Sequence, residues 1–163
     1  IKPGTLIKLK PNASIIFRNR LIAEGKKNNP IIFEGYVKNQ KPWGTVALVG
    51  PKSDNSEFNF LIFDGGSGYK KDLFEYSGMI SIHDANNILF KNSIIKNGSI
   101  VDDMVHIVYS KNTRFENVFF YNSFSDAFDI QKLLIDLGVF AVLFYLGTIL
   151  ARYLIKAKSK PVQ

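Results

Sequence analysis

Four polar residues in the second half of the chain repeat at one spacing. Asp126 follows Asp103 at the same distance along the chain as Asp129 follows His106. If one turn of a repeating fold separates them, Asp103 lies over Asp126 and His106 over Asp129. Two stacked carboxylates can share a proton or bind a cation, and an imidazole beside a carboxylate can act as a general base. The spacing therefore indicates a candidate acid–base or cation site, with a solvated polar stripe or a ladder of aspartate turns as the alternative.

Other residues with chemical potential are few. Trp43 is the single tryptophan and stands between Pro42 and Gly44. Its indole face could stack on a sugar ring if exposed, and the alternative is a packing residue at the edge of the fold. His83 is assigned no ligand role. The chain has no cysteine, which excludes disulfides and thiolate metal sites, and it has no phosphate-binding loop. We therefore expect no cofactor.

These residues must be positioned by strands and turns. Residues 1–130 contain short apolar runs, each bounded by Gly, Pro, Asn or Asp, and little helical periodicity. Such runs and boundaries are typical of short β-strands separated by tight turns. The first part of the chain is therefore predicted to be all-β.

An internal repeat narrows this prediction. Residues 87–97 (NILFKNSIIKN) match residues 112–122 (NTRFENVFFYN) at one fixed offset, with Asn and Phe in phase. A weaker copy at residues 58–65 is offset by about 32 residues, and the glycine-rich stretch 65–71 explains its extra length. A period of roughly 25 residues fits one coil of a parallel β-helix, in which Asn occupies the sharp turns.

The predicted fold over residues 1–130 is a right-handed parallel β-helix of about five coils. Stacked coils would place Phe90 over Phe115 in the interior and Asn92 next to Asn117 at a turn, where their amides can bond. A β-sandwich also has many short strands, but it does not predict Asn and Phe at one fixed offset.

A transmembrane helix is predicted over residues 131–156. Leu133–Ile155 is almost wholly apolar and carries only two charged residues, Asp136 and Arg152. As a helix this segment spans about 34 Å, which exceeds the roughly 30 Å of a hydrocarbon core. A helix that caps the open end of the coils is the alternative, but the segment has no polar face.

The lysines that follow the apolar segment predict its orientation. Residues 157–163 form a basic tail, which the positive-inside rule places in the cytoplasm, so residues 1–130 would be extracytoplasmic. The small residues Gly147 and Ala151 could seat another membrane subunit. The net charge of +7 comes from scattered lysines and this flank, and we expect no nucleic-acid partner.

Four segments near the N-terminus resemble the opening of pectate-lyase-like right-handed β-helix proteins: residues 2–6 (KPGTL), 21–25 (LIAEG), 29–33 (NPIIF) and 43–44 (WG). Residues 86–130 resemble the repeats of the same superfamily. The resemblance covers about residues 1–130 and implies the fold. Members include lyases, hydrolases, epimerases and non-catalytic scaffolds, so it does not fix an activity.

The expected function is that of a membrane-anchored β-helix that binds or scaffolds. Its expected partners are membrane lipid, a saccharide and other subunits of a membrane complex. The competing interpretation is a fragment of a polysaccharide-acting enzyme of lyase, hydrolase or epimerase type. Paired aspartates resemble the acid and base of such enzymes, but further catalytic positions on later coils are missing from this sequence, so we expect no turnover.

Overall fold

The computed structural model describes residues 1–37, 41–71, 74–98, 103–123 and 126–131, without the side chains at positions 71, 74, 126 and 128–131. Residues Ile1–Gln131 form one compact unit. In chain order its strands are β1 (Leu6–Leu9), β2 (Ile15–Phe17), β3 (Ile22–Glu24), β4 (Ile31–Gly35), β5 (Val46–Val49), β6 (Glu57–Asn59), β7 (Leu61–Asp64), β8 (Tyr69–Lys71), β9 (Phe74–Tyr76), β10 (Ile80–His83), β11 (Leu89–Lys91), β12 (Ile94–Lys96), β13 (Asp103–Val108), β14 (Arg114–Glu116), β15 (Phe119–Tyr121) and β16 (Asp126–Gln131). A short 3-10 turn, Pro51–Ser53, follows β5.

Successive strands along the chain belong in turn to three parallel sheets, which we call A, B and C. Sheet A has the order β1-β4-β7-β12-β15, sheet B the order β16-β13-β10-β5-β2, and sheet C the order β14-β11-β6-β3. If β8 and β9 are left aside, each strand pairs with the strand three positions earlier in the chain. One pass through the three sheets makes one coil. An all-β fold with parallel strands is confirmed, and the antiparallel sandwich is excluded.

The interior is built from identical side chains stacked between coils. Phe58, Phe90 and Phe115 form a column with ring centroids 4.4 and 5.1 Å apart. Phe33 and Phe63 form a second column at 4.9 Å. The backbone register that pairs Phe90 with Phe115 is the one that the internal repeat predicted. Stacked rings fill the narrow interior and gain packing energy beyond their buried area.

Rows of asparagine side chains form hydrogen bonds between the turns of adjacent coils, and we call these rows asparagine ladders. Asn117 Nδ2 donates to Asn92 Oδ1 at 2.8 Å, and Asn92 Nδ2 donates to Asn59 Oδ1 at 3.0 Å. Asn122 and Asn97 form an equivalent bond at 2.9 Å. Many of these asparagines have positive φ, which Asn tolerates better than most residues. The predicted contact between Asn92 and Asn117 is therefore confirmed.

The longer offset of the third coil is explained by an inserted hairpin. Strands β8 and β9 pair antiparallel between β7 and β10. Lys70 Nζ lies 3.0 Å from Glu75 Oε1 across this hairpin. The glycine-rich stretch of residues 65–71 leads into it.

The predicted transmembrane helix at 131–156 and the tail at 157–163 lie outside the described residues, apart from Gln131 at the end of β16. Within the part of the chain that the structure describes, no helix has the length and apolar character needed to cross a membrane.

Candidate functional site

A groove of about 450 Å³ lies on the outside of the coils, where sheet C turns into sheet A. We call it the sheet A groove. Its volume falls within the range of small-molecule sites in proteins. Its lining includes aromatic, apolar, amide and basic side chains: Lys27, Phe60, Ile62, Asn92, Asn117 and Phe119.

The floor of the groove comes from a column of outward-facing residues on sheet A. The register aligns Ile62 with Ile94 and Ile94 with Phe119 on three adjacent coils. Their neighbours Phe63 and Ile95 are fully buried, because successive residues of a strand point to opposite faces. Phe119 is 51% exposed. An apolar surface therefore runs along the stack of coils.

The amides of Asn92 and Asn117 form one wall. Each uses part of its hydrogen-bonding capacity in the ladder described above, and a side-chain amide has two N–H donors and two acceptor lone pairs in total. The wall can therefore donate to and accept from a polar ligand without breaking the ladder.

Phe60 reaches the groove from a strained turn. Its φ is 55°, and its backbone N–H donates to Lys91 O just as that of Asn92 donates to Glu116 O. Phe60 thus occupies the turn position that Asn92 and Asn117 fill on the next two coils. A bulky residue with positive φ is uncommon, and such strain often marks functional positions.

Charge in the groove comes from one side chain. Lys27 is exposed, and among the described lining residues it alone is charged. The groove therefore combines two aromatic rings, two amides and one ammonium group. Sequence reasoning missed it, because its residues come from different coils and their types differ from coil to coil.

The predicted pairing of the acidic residues holds at the level of the backbone. The register of β13 and β16 aligns Asp103 with Asp126 and His106 with Asp129. Asp103 is only 7% exposed and His106 only 4%. The side chains of Asp126 and Asp129 lie outside the described part of the structure, so a catalytic or cation-binding role for these four residues stays a prediction.

His83, to which the sequence assigned no ligand role, lies against His106. The distance from His83 Nε2 to His106 Nδ1 is 3.3 Å, and the two rings meet edge to face. The ring of Tyr76 from the hairpin lies 4.9 Å from that of His83. Burial and the neighbouring His106 lower the pKa of His83 to about 4, so its imidazole is neutral at neutral pH. The signal that could have revealed this pair is the spacing between the histidines, which equals that from Asp103 to Asp126.

The structure corrects the candidate sugar contact at Trp43. The indole is fully buried, and its Nε1–H donates to the carbonyl of Asp64 at 2.7 Å. A Cβ added to Gly66 would lie 2.8 Å from the indole ring, so the tryptophan fills a tight space. A sugar needs an exposed ring face, and Trp43 therefore acts as a core residue.

Among the described side chains, no group of three or more His, Asp or Glu residues is close enough to hold a metal ion. No family model, no curated protein and no solved structure matches the chain. The resemblance to pectate-lyase-like proteins therefore stays a prediction from the residues that carry it.

Proposed function

We propose that this chain is a membrane-anchored, right-handed parallel β-helix that binds a saccharide in the sheet A groove. The rotation of strands through three parallel sheets supports the helical winding. The general preference of parallel crossovers supports its hand. The anchor, the extracytoplasmic location of the coils and the cytoplasmic C-terminus rest on the apolar segment at 133–155 and the lysines after it.

The observation that carries the saccharide proposal is the pairing of one exposed ring, Phe119, and one half-buried ring, Phe60, with an amide ladder. A sugar ring presents apolar C–H faces and a rim of hydroxyl groups. Phe119 and Phe60 offer surfaces for the C–H faces, and Asn92 and Asn117 offer donors and acceptors for the hydroxyls. Because Ile62, Ile94 and Phe119 lie on three adjacent coils, successive sugar units would each meet an apolar side chain.

Binding without turnover is supported by the burial of Asp103 and His106, the two candidates whose side chains the structure describes. A glycoside-cleaving enzyme needs an acid and a base within reach of one bond in its substrate. Asp103 and His106 are almost wholly buried and do not line the groove. This supports a binding module, which could also present its ligand to other subunits of a membrane complex.

The test is retention of the full-length chain, purified in detergent, on a panel of immobilised neutral and acidic oligosaccharides. Phe119→Ala should weaken binding to the best ligand by about tenfold, which corresponds to about 1.4 kcal/mol. Tyr109→Ala is the matched control, because Tyr109 is also 51% exposed but does not line the groove. No retention on any glycan, or equal binding by Phe119→Ala, would rule out this function.

A further inference from the structure

Three lysines stand at one corner of the coils, where sheet C turns into sheet A. Lys26 and Lys27 belong to the turn between β3 and β4, and the backbone groups of Lys26 and Asn29 close this turn with bonds of 2.9 and 3.2 Å. Lys2 precedes β1, and the N–H of Gly4, two residues later, donates to the carbonyl of Asn29 at 3.0 Å. The backbone therefore brings the three lysines together in adjacent turns, and we call this group the lysine corner.

The lysine corner forms one end of the sheet A groove. Lys27 lines the groove with Pro30, which leads into β4, while Phe119 lines it on β15, at the far edge of sheet A. All three lysines of the corner are exposed. A ligand in the groove therefore meets positive charge at one end and apolar and amide side chains along the rest.

The positive charge of this corner is not balanced by ion pairs among the described side chains. Elsewhere on sheets A and C, lysines pair with carboxylates on adjacent coils. Lys91 Nζ lies 3.4 Å from Glu116 Oε2, and Lys96 Nζ lies 3.1 Å from Asp64 Oδ2. None of the ion pairs between described residues involves the lysine corner.

The sequence around the corner adds to this excess of positive charge. Residues 1–27 contain seven lysines and arginines and only one acidic residue, Glu24. Glu24 Oε2 accepts a hydrogen bond from Asn59 Nδ2 at 3.5 Å, at the end of the ladder that continues to Asn92. The electrostatic field at this end of the groove is therefore positive and attracts anionic ligands.

The chemistry of the positive groups indicates the kind of anion. An arginine guanidinium is a planar fork that matches a carboxylate, whereas a lysine ammonium is a compact point charge that commonly binds phosphate. The three positive groups at this corner are all ammonium groups. Several ammonium groups can converge on the terminal oxygens of one tetrahedral ester, so the corner suits sulfate or phosphate better than a carboxylate.

We propose that the sheet A groove takes a saccharide that carries a sulfate or phosphate ester, and that Lys27 binds this ester with Lys2 and Lys26 beside it. The inference rests on the saccharide function proposed above and adds the class of substituent and its position in the groove. Lys27 then selects the ligand by charge, while the apolar column and the asparagine ladder contact the sugar rings.

The test is the affinity of the full-length chain in detergent for four oligosaccharides of one length: neutral, uronate-containing, sulfated and phosphorylated. At least one ester should bind about tenfold more tightly than the neutral sugar, and the two ester arms distinguish sulfate from phosphate. The preference should shrink when salt is raised from about 0.1 M to about 1 M, because the Debye length falls from about 10 Å to about 3 Å.

Lys27→Gln should weaken binding of the preferred ester by about tenfold and so abolish its advantage over the neutral sugar. Lys111→Gln is the matched control, because it removes the same charge from an exposed position after β13 that does not line the groove. It should bind the ester as the wild type does. An equal loss of affinity in the two variants would overturn the inference, since only overall charge would then matter.

The remaining outcomes separate this inference from the function on which it rests. Equal affinity for neutral and esterified sugars would overturn the selection by charge and leave the saccharide function standing. Uronate binding as tight as that of the better ester would overturn the assignment of a tetrahedral group. Absence of binding by all four oligosaccharides would contradict the saccharide function itself, and this inference with it.

Discussion

Two aromatic residues stand in left-handed turns, and one of them, Phe60, lines the groove. Asparagine occupies most of the positive-φ positions, but Phe60 and Tyr109 have φ of 55° and 52°. A left-handed backbone costs a residue other than glycine roughly 1–2 kcal/mol, and asparagine less. Both aromatic residues are therefore held in conformations that local preference does not favour.

Phe60→Asn should leave the free energy of unfolding unchanged or raise it by up to about 1 kcal/mol, because relief of the left-handed strain offsets the contact area lost with the half-buried ring. Thermal unfolding of the full-length chain in detergent measures the effect. Tyr109→Asn is the control at a second left-handed turn and should also stabilise. A loss of more than about 2 kcal/mol for Phe60→Asn, the size typical of truncating a buried side chain, would show that the ring is needed for the core.

The pH dependence of stability should report on His83. Its pKa is about 4 in the folded state, because of burial and of His106 on β13, and its ordinary value is 6.5. Between these values the unfolded chain binds a proton that the folded chain does not, so stability falls as pH decreases from 6.5 to 4. The contribution is at most about 3 kcal/mol, and partial exposure reduces it.

His83→Gln should flatten this part of the profile, measured as melting temperature from pH 6.5 to 4. The difference between wild type and variant isolates His83 from carboxylates that titrate near pH 4. Parallel profiles for the two proteins would show that His83 titrates normally.

At the scale of elements, the bridge between Trp43 and Gly66 fixes the turn that leads into the hairpin. A methyl group at Gly66 would lie 2.5 Å from Met79 Cγ and 2.8 Å from the Trp43 ring. Both neighbours are fully buried, so neither can move without disturbing the core. The glycine is therefore required for space and not for backbone freedom.

Gly66→Ala should destabilise the protein by about 1–3 kcal/mol, as overpacking of a filled core does. The melting temperature of the full-length chain in detergent measures the loss. Gly35→Ala is the control, because an added Cβ there meets only the Val37 carbonyl oxygen at 3.5 Å. Its effect should stay within about 0.5 kcal/mol. Equal melting temperatures for the two variants would contradict the packing argument.

The elements that the sequence predicted well are those whose side chains repeat. Phe90 and Phe115, with the asparagines around them, fall in phase because like residues stack in adjacent coils. The sequence left open whether Trp43 is an exposed sugar contact or a packing residue. Its burial depends on a close approach by Gly66 from the next coil, which no local pattern records.

The groove could not be predicted for a related reason. Its floor joins Ile62, Ile94 and Phe119, so that a phenylalanine replaces isoleucine on the last of these coils, and its strained Phe60 stands where the next two coils have asparagine. A search for repeats finds positions at which the residue type is the same in adjacent coils, whereas this groove lies at positions where the residue type changes. The backbone pairing of Asp103 with Asp126 was predicted correctly, but the burial of Asp103 was not.

At the scale of the whole molecule, several of the scattered lysines are explained by pairing between coils. Lys8 lies 3.7 Å from Glu34, Lys91 3.4 Å from Glu116, and Lys96 3.1 Å from Asp64, each on an adjacent strand of one sheet. Exposed pairs of this kind contribute little stability, about 0–1 kcal/mol each. They do favour the observed register, since a shifted strand would lose them.

The anchor proposed at residues 131–156 predicts how the full-length chain behaves in membranes. It should stay in the membrane fraction through an alkaline carbonate wash and should require detergent for release, because a spanning apolar helix is held by the hydrocarbon core. A truncation after Gln131 is the matched comparison and should be released by the wash if it folds. Release of the full-length chain by carbonate alone would exclude a transmembrane helix.

The central claim, that the sheet A groove binds a saccharide, is tested most directly by the affinity of Phe60→Asn. This variant changes a groove residue without an expected loss of stability, so weaker binding would not reflect unfolding. With the best glycan of the panel, its dissociation constant measured by calorimetry should rise about tenfold while its melting temperature stays at or above that of the wild type. Wild-type affinity in folded Phe60→Asn, with Tyr109→Asn unchanged as well, would contradict binding in this groove.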